Sequence, residues 1–248
     1  MACLAAAGDG RGRPDRTRFS GMTAPVIALL GAESTGKTRL AHDLAAALQA
    51  RGLRTRGVPE YLRQWCDAAG RTPRPDEQAA IADAQQAAID AAAADPDIDR
   101  VVADTTPLMT AVYSDLLFGD RSLYPSALQH LRRCSTVLLM GLDLPWVADG
   151  IQRDGPQVRA PVDAAIRTAL DSAAIGFQVV YGQGPERLAS ALHAIDSVAA
   201  CARPAGAESR LASEEGDRPM RAWACLHCGD ADCERRLFDR VRRSASGS

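Results

Sequence analysis

Gly31-Ala32-Glu33-Ser34-Thr35-Gly36-Lys37-Thr38 is the stretch that decides the fold, because it follows the GxxxxGK[S/T] pattern of a phosphate-binding loop. The apolar run at 26–30 precedes it and is typical of a buried parallel strand. Leu40, Leu44 and Leu48 follow it at four-residue spacing among alanines, which predicts an amphipathic helix. A strand, a glycine loop and a helix form the context that this motif requires. We therefore predict a P-loop nucleotide-binding domain rather than an ordinary glycine turn.

The residues of this loop have distinct expected roles toward a nucleoside triphosphate. The backbone N–H groups of residues 31–38 and the dipole of the helix are expected to hold the β- and γ-phosphates. Lys37 is expected to contact phosphate oxygens, and the hydroxyl group of Thr38 to bind Mg²⁺. Lys37 is also the only lysine in the chain, which argues against an accidental match. We expect ATP with Mg²⁺ as the cofactors, although the motif leaves GTP open.

Length, charge and cysteine content limit the classes of protein to which this chain can belong. Its 248 residues, 46% of them hydrophobic, are enough for one α/β domain of ordinary size. A net charge of −2 and a pI near 6.1 give no general attraction to nucleic acid or to acidic membranes. No apolar run approaches the roughly 20 residues of a membrane span. Seven cysteines, an odd number, favour a reducing cytoplasm over a disulfide framework.

The pattern of apolar runs predicts four segments and one parallel sheet. Residues 1–21 are polar, glycine-rich and expected to be disordered; 22–200 form the P-loop domain, 201–219 a linker and 220–248 a cysteine-containing tail. Within the domain we expect five strands, at 26–30, 54–58, 98–103, 136–142 and 177–181. Helices alternate with them, including one at 76–94 with Asp76 as its cap. The sequence thus predicts an α/β fold with a five-stranded parallel sheet flanked by helices.

Carboxylates stand where predicted strands end, and the carboxyl ends of parallel strands are where ligands bind. Glu60 follows the second strand, Asp104 the third and Asp143 the fourth. Asp104 is expected to bind Mg²⁺; the alternative is a cap for the helix that starts at Pro107. Glu60 is expected to orient an acceptor hydroxyl group and take its proton; the alternative is a solvated carboxylate at a helix start.

A polar loop at 143–159 carries arginines and suits a lid that closes over a transferring phosphoryl group. Arg153 and Arg159 are the candidates for phosphate contacts, because a guanidinium group can bind two oxygens at once. The alternative is a surface loop whose arginines pair with nearby aspartates. Tyr61, Trp65 and Trp146 are candidates for stacking on an aromatic acceptor, with plain core packing as the alternative.

Five segments carry a resemblance to a known family: GAESTGKTRLA, PEYLRQW, IADAQQ, VVADTTPLMTAVYSDLLFG and LDLPWVADGIQR. In this order and spacing they resemble the NadR-type nicotinamide riboside kinase domain and its wider AAA-like ATPase relatives, over residues 25–193. The resemblance implies a nucleoside-kinase-like fold at 22–200 and transfer of a phosphoryl group from ATP to the 5′-hydroxyl group of nicotinamide riboside, a step of NAD biosynthesis.

Matched residue by residue, the resemblance implies a catalytic set and a substrate-binding set. The catalytic set is Glu60, Asp104 and Arg153, in addition to Lys37, which the P-loop motif itself indicates. The substrate-binding set is Glu60, Tyr61, Arg63, Trp146 and Asp149. Arg159, a candidate from the polar loop and not from the resemblance, is expected to join the P-loop residues in binding ATP. The family often has an acidic residue or asparagine where this chain has Thr106. The chain has no room for the DNA-binding and adenylyltransferase domains of NadR, so a stand-alone kinase is expected.

Two other functions fit the same residues. The first is a kinase for another nucleoside. The second is a nucleotide-dependent regulator that acts through a protein or lipid partner and uses the same carboxylates for hydrolysis or switching.

The tail contains a group of cysteines with metal-ligand spacing. Cys225, Cys228 and Cys233 place three thiolates within reach of one tetrahedral ion, and His227 or Cys201 could supply a fourth ligand. A zinc ribbon has two separated CxxC pairs, whereas this chain has one. Zinc binding and reduced thiols therefore both remain open.

Overall fold

The structure is a computed structural model, which describes residues 23–147 and 156–201. These residues belong to the first of two compact units, Met1–Ala202. Within the described ranges, none of the helices combines the length and the apolar character needed to cross a membrane.

A single parallel sheet organises the domain. Its strands are β1 (Val26–Leu30), β2 (Thr55–Val58), β3 (Arg100–Asp104), β4 (Thr136–Met140) and β5 (Gln178–Val180). Their order in the sheet is β2-β3-β1-β4-β5. All four neighbouring pairs are parallel. The prediction of a five-stranded parallel sheet is confirmed, and β1 lies at its centre, between β3 and β4.

Helices cover both faces of this sheet. They are α1 (Lys37–Ala50), α2 (Tyr61–Ala69), α3 (Gln78–Ala94), α4 (Pro107–Phe118), α5 (Tyr124–Leu131), α6 (Arg159–Ser172) and α7 (Pro185–Cys201). Short 3₁₀ turns at Pro75–Glu77 and Pro156–Val158 lead into α3 and α6. The central strand explains the arrangement, because its alternate side chains face opposite layers. Ile27 and Leu29 pack with α1 and α7. Ala28 and Leu30 pack with α4, α5 and α6.

Three local predictions are corrected by the structure. Strand β3 begins at Arg100, because Asp99 accepts a hydrogen bond from the backbone N–H of Arg54 at 2.8 Å and belongs to the turn before the strand. Strand β4 ends at Met140 and not at residue 142. Asp76 is not a helix cap, since it lies within the 3₁₀ turn. It is Glu77 that accepts the backbone N–H of Arg74, at 2.7 Å, and α3 begins one residue later.

Candidate active site

The phosphate-binding loop joins β1 to α1 in a backbone conformation that two of its positions can adopt only with glycine. Gly31 has φ +151°, and a Cβ atom there would lie 2.8 Å from the Cβ of Met140. Gly36 has φ +78° and precedes the first residue of α1. The loop is also closed internally, because the Thr35 hydroxyl donates to the carbonyl oxygen of Ala32 at 2.7 Å. The loop is therefore held in shape without any ligand.

The side chain of Lys37 folds back onto the backbone of the phosphate-binding loop. Its Nζ donates to the carbonyl oxygens of Gly31 and Ala32, at 2.8 and 2.9 Å. Burial lowers the pKa of Lys37, while the carboxylates of Glu60 and Asp104 act in the opposite direction. The charge of this lysine is thus held in a poorly solvated place, where a negatively charged phosphate would strongly favour its protonated form.

The N-terminus of α1 is open to an anion. Its N-cap is Gly36, which has no side chain to cap the helix, and the first turn contains no acidic residue. Unpaired N–H groups and the positive end of the helix dipole favour phosphate at such a terminus. Thr38, in the first turn, lines the adjoining cleft.

Asp104 lies at the end of β3, beside the phosphate-binding loop. It is 4% exposed, and within the described residues its Oδ1 has no hydrogen-bond partner. The alternative role as a helix cap falls to another residue, because Thr106 accepts the backbone N–H of Leu108 at 3.4 Å at the start of α4. Thr105, between them, has φ +83°, a strained value for a β-branched residue. Asp104 therefore does not cap α4, and its Oδ1 is available to bind a ligand.

Glu60 is the N-cap residue of α2, yet its carboxylate makes no capping hydrogen bond. It lines the cleft and lies 3.5 Å from the guanidinium group of Arg63, which also lines it. Tyr61, expected to stack on the acceptor, is half-buried and does not line the cleft. Its backbone N–H donates to Oε1 of Gln85 on α3, at 2.7 Å.

The phosphate-binding loop forms one wall of a cleft of about 1400 Å³. A second wall comes from α2 and from the segment that leads into α3. A third comes from the last turn of α4, and the start of α6 with the segment after β4 completes the cleft. The lining residues outside the loop include Glu60, Leu62, Arg63, Thr72, Pro73, Gln78, Tyr113, Leu116, Leu117, Phe118, Leu144 and Pro161.

The last turn of α4 gives this cleft an apolar wall that the sequence analysis did not identify. Leu116, Leu117 and Phe118 are 45%, 59% and 40% exposed, although they are large apolar side chains. The sequence analysis gave none of the three a role in the site. A signal was present in the sequence, since three consecutive apolar residues at a helix end, just before Gly119, cannot all face the core.

Arg187 is a second residue that the sequence analysis missed. It lies in the first turn of α7, is 4% exposed, and donates from Nη1 to the carbonyl oxygen of Thr35 in the phosphate-binding loop. Its Nε donates to the carbonyl oxygen of Gly182 at 2.7 Å, and its Nη2 to Asp143 at 2.6 Å. Asp143 is thus paired with Arg187 and also accepts the N–H of Gly182, at 2.7 Å. An arginine near a helix N-terminus opposes the dipole, which is the signal that could have revealed it.

The predicted lid lies partly outside the described residues, which exclude 148–155 and hence Asp149 and Arg153. Before that gap, the Ser34 hydroxyl accepts the N–H of Val147 at 2.8 Å, which ties this segment to the phosphate-binding loop. Trp146 is half-buried and does not line the cleft. Arg159, on the other side of the gap, is buried and donates to the carbonyl oxygen of Leu144 at 2.8 Å. Its Nε and Nη2 have no partner among the described residues.

The cysteines considered for zinc, Cys225, Cys228 and Cys233, lie outside the described residues, as does His227. Within residues 23–147 and 156–201, no group of three or more histidine, cysteine or acidic side chains is placed to hold a metal ion.

Comparison with known proteins agrees with the fold and the phosphate-binding loop. Residues 26–187, more than half of the chain, match the model of a protein family described as an AAA domain. No curated protein sequence is significantly similar to the chain.

Solved structures with the same fold include two of NadR. NadR in complex with NAD and AMP-PNP matches with a TM-score of 0.59 at 20% identity, over 72% of this chain and 50% of that chain. NadR in complex with NR matches with a TM-score of 0.61 at 21% identity, over 71% and 52%. This chain therefore spans about half the length of those NadR chains. A thymidylate kinase from Ehrlichia chaffeensis matches with a TM-score of 0.50 at 12% identity, over 71% and 99%. At these identities the likeness shows the fold.

Proposed function

This chain belongs to the AAA domain family, and from that premise we propose that it is an ATP-dependent small-molecule kinase. Its proposed reaction is transfer of the γ-phosphoryl group to the 5′-hydroxyl group of a nucleoside, with nicotinamide riboside as the first candidate. The observation that carries this proposal is the composition of the cleft. One wall is a phosphate-binding loop, and the facing walls combine a carboxylate, Glu60, with an apolar surface. Phosphoryl transfer between two bound molecules needs this combination.

The phosphate end of the cleft supplies charge and fixed N–H groups. Lys37 exchanges its bonds to Gly31 and Ala32 for phosphate oxygens, and the uncapped first turn of α1 binds the remaining oxygens. Since Arg187 holds the carbonyl oxygen of Thr35, the loop does not have to reorganise when charge develops on the transferring group. These contacts stabilise the transition state more than the ground state, as phosphoryl transfer requires.

A magnesium ion fits the residues beside this loop. Asp104 has a buried oxygen without a partner in the described structure, and the hydroxyl group of Thr38 lines the cleft. Hydroxyl and carboxylate oxygens are the ligands that Mg²⁺ prefers, and Asp104 is able to bind either directly or through water. The ion, when bound, neutralises charge on the β- and γ-phosphates. Arg153, from the proposed lid, adds further positive charge. Arg159 is buried against the carbonyl oxygen of Leu144 and does not line the cleft, so a contact with phosphate would require it to move.

The acceptor end of the cleft supplies orientation and apolar contact. Glu60 accepts a hydrogen bond from the acceptor hydroxyl group and takes its proton late in a loose transition state. The flat ring of a nucleoside lies against the apolar wall of Leu116, Leu117 and Phe118, where burial of both surfaces favours binding. The cleft is large enough for a nucleoside and a triphosphate together, since ligand sites commonly measure 300–1,000 Å³.

A panel of nucleosides tests this proposal. Each nucleoside is incubated with the full chain, ATP and Mg²⁺, and the release of ADP is measured together with the mass of the product. Nicotinamide riboside is expected to stimulate the release of ADP and to gain one phosphoryl group. The same panel is run with GTP in place of ATP, which assigns the phosphoryl donor.

The other outcomes of the panel are equally informative. Faster turnover with a different nucleoside keeps the kinase and changes its acceptor. Slow ADP release that no nucleoside stimulates contradicts the kinase proposal and favours a nucleotide-dependent regulator.

A further inference from the structure

The carboxylate of Glu60 lines the cleft beside Arg63 and does not cap α2, because another helix supplies the first capping contact of α2. The side chain of an N-cap residue often accepts a backbone N–H of its own helix, a role in which Ser, Thr, Asp and Asn are preferred. Here Glu60 makes no such bond, although it occupies the N-cap position. The first N–H of α2, that of Tyr61, is instead accepted by Oε1 of Gln85 at 2.7 Å.

Gln85 also binds the backbone of the residue that precedes Glu60. Its Nε2 donates to the carbonyl oxygen of Pro59 at 3.3 Å, so one carboxamide group bonds to the backbone both before and after the glutamate. These two partners fix which end of the carboxamide is oxygen and which is nitrogen. Gln85 lies in the middle of α3 and is 2% exposed, so the surrounding core restricts its side chain. The turn that carries Glu60 is therefore attached to a rigid helix by two hydrogen bonds.

From this geometry we propose that Gln85 is a positioning residue for the acceptor carboxylate: it satisfies the backbone on both sides of Glu60 and thereby leaves that carboxylate in the cleft that Lys37 also lines. The inference rests on the proposed function, because it concerns the same phosphoryl transfer. Without Gln85, the unpaired N–H of Tyr61 would compete for the carboxylate of Glu60, which would turn it away from the acceptor.

The neighbouring glutamine offers a matched control. Gln86 follows Gln85 on α3 and is half-buried, and no hydrogen bond to it is found within the described residues. Replacing either residue by methionine keeps the length of the side chain and its helix propensity. Gln85→Met removes both bonds to the turn, whereas Gln85→Glu keeps an acceptor for the N–H of Tyr61. We expect Gln85→Met to lower kcat roughly 10- to 100-fold with the ATP Kd within about twofold, Gln85→Glu to lower it less, and Gln86→Met to leave it unchanged.

A double-mutant cycle with Glu60→Gln separates positioning from stability. If Gln85 acts through Glu60, Gln85→Met has little further effect on kcat once Glu60 has been changed. A purely structural role predicts the same fold-loss of kcat in both backgrounds. Equal losses in the two backgrounds would overturn the proposal.

The single lysine provides a readout that does not need turnover. A lysine-selective ¹³C label gives one Cε signal, that of Lys37. Among the carboxylates near Lys37, that of Glu60 acts most strongly to raise its pKa, against the lowering by burial. Gln85→Met is expected to move this signal in the same direction as Glu60→Gln, while Gln86→Met leaves it in place. An unmoved signal in Gln85→Met would contradict the proposal. If the wild-type chain phosphorylates no nucleoside, the proposed function fails, and the Lys37 signal still decides whether Gln85 positions Glu60.

Discussion

The two ends of the cleft are built in different ways. At the phosphate end, most of the contacts join a side chain to a backbone carbonyl group: Lys37 to Gly31 and Ala32, and Arg187 to Thr35. At the acceptor end, the lining consists of side chains from α2, from the segment before α3 and from α4, and some of the largest are well exposed. The phosphate end is therefore ordered before any ligand arrives, whereas the acceptor end offers surface that a ligand would cover.

This difference follows from what each ligand requires. A triphosphate presents the same oxygens to every enzyme, so one contiguous loop of backbone N–H groups can hold it. An acceptor is recognised by its individual shape, which needs side chains that come from separate parts of the chain. Substitutions at the phosphate end should therefore affect turnover or stability. At the acceptor end, substitutions in the apolar wall should affect KM, whereas substitutions that remove or misplace the carboxylate of Glu60 should affect kcat.

The largest effect at the phosphate end is expected for Lys37→Ala. The variant loses the positive charge at the phosphate end, and we expect turnover to fall roughly 10³-fold. Burial disfavours this charge in the free protein, so thermal unfolding should occur at the same temperature as in the wild type, or higher. Turnover and Tm are measured on the same preparation. Wild-type turnover by a folded variant would contradict the assignment of the loop.

Arg187→Met is expected to reduce stability more than any acceptor-side variant. The change leaves Asp143 without its cation and frees the carbonyl oxygens of Thr35 and Gly182. The cation of this pair is buried but its carboxylate is 30% exposed, so losing the pair and the two backbone bonds costs about 2 kcal/mol, or roughly 6 °C in Tm for a domain of this size. Arg51→Met is the matched control, because its pair with Asp196 is exposed on both sides. A Tm equal to that of the control would show that Arg187 does not brace the loop.

Phe118→Ala tests the apolar wall at the acceptor end. The ring is 40% exposed, and an acceptor that covers it should gain about 1 kcal/mol, which corresponds to roughly fivefold in KM. The ATP Kd is expected to stay the same, because the ring lies on α4 and away from the loop. Steady-state kinetics with the acceptor varied, together with a nucleotide titration, measure both. An effect on ATP binding alone would place the nucleotide, and not the acceptor, at this wall.

The smallest effect concerns the acid stability of the segment before α3. The bidentate contact with Arg71, at 2.7 Å for both oxygens, and the N–H of Arg74 lower the pKa of Glu77 to about 2 from 4.5. A lowered pKa contributes stability above pH 4.5, and this contribution is lost as the pH falls toward 2. Urea midpoints at pH 7 and pH 3 should therefore differ less in Glu77→Gln than in the wild type. An equal difference in both proteins would mean that this contact does not stabilise the fold.

The sequence predicted the phosphate end better than the acceptor end, because the phosphate end is one contiguous loop and the acceptor end is assembled from separate parts of the chain. The P-loop motif is contiguous, and its strand and helix context is local, so β1, α1 and the five-stranded sheet could be predicted from the apolar pattern. A helix starting near Glu60 was considered as the alternative role of that residue, but the bounds of α2 were not predicted, and only the structure shows that Gln85 provides its first capping contact. Arg187 could not be connected to Thr35 by any local pattern, since 152 positions separate them. Trp146 and Tyr61 were candidates by residue type, but residue type does not determine the direction of a side chain.

The acceptor-dependent turnover of Glu60→Gln, measured beside its ATP affinity, tests the central claim most directly. Glu60 lines the cleft at the acceptor end and is not used as a capping group, so its carboxylate is available to the acceptor hydroxyl group. Removing a general base costs roughly 10²–10⁴-fold, and we predict a fall in kcat of this size with an ATP Kd within about twofold of the wild-type value. Wild-type kcat in Glu60→Gln would contradict the account, because the carboxylate would then have no part in phosphoryl transfer.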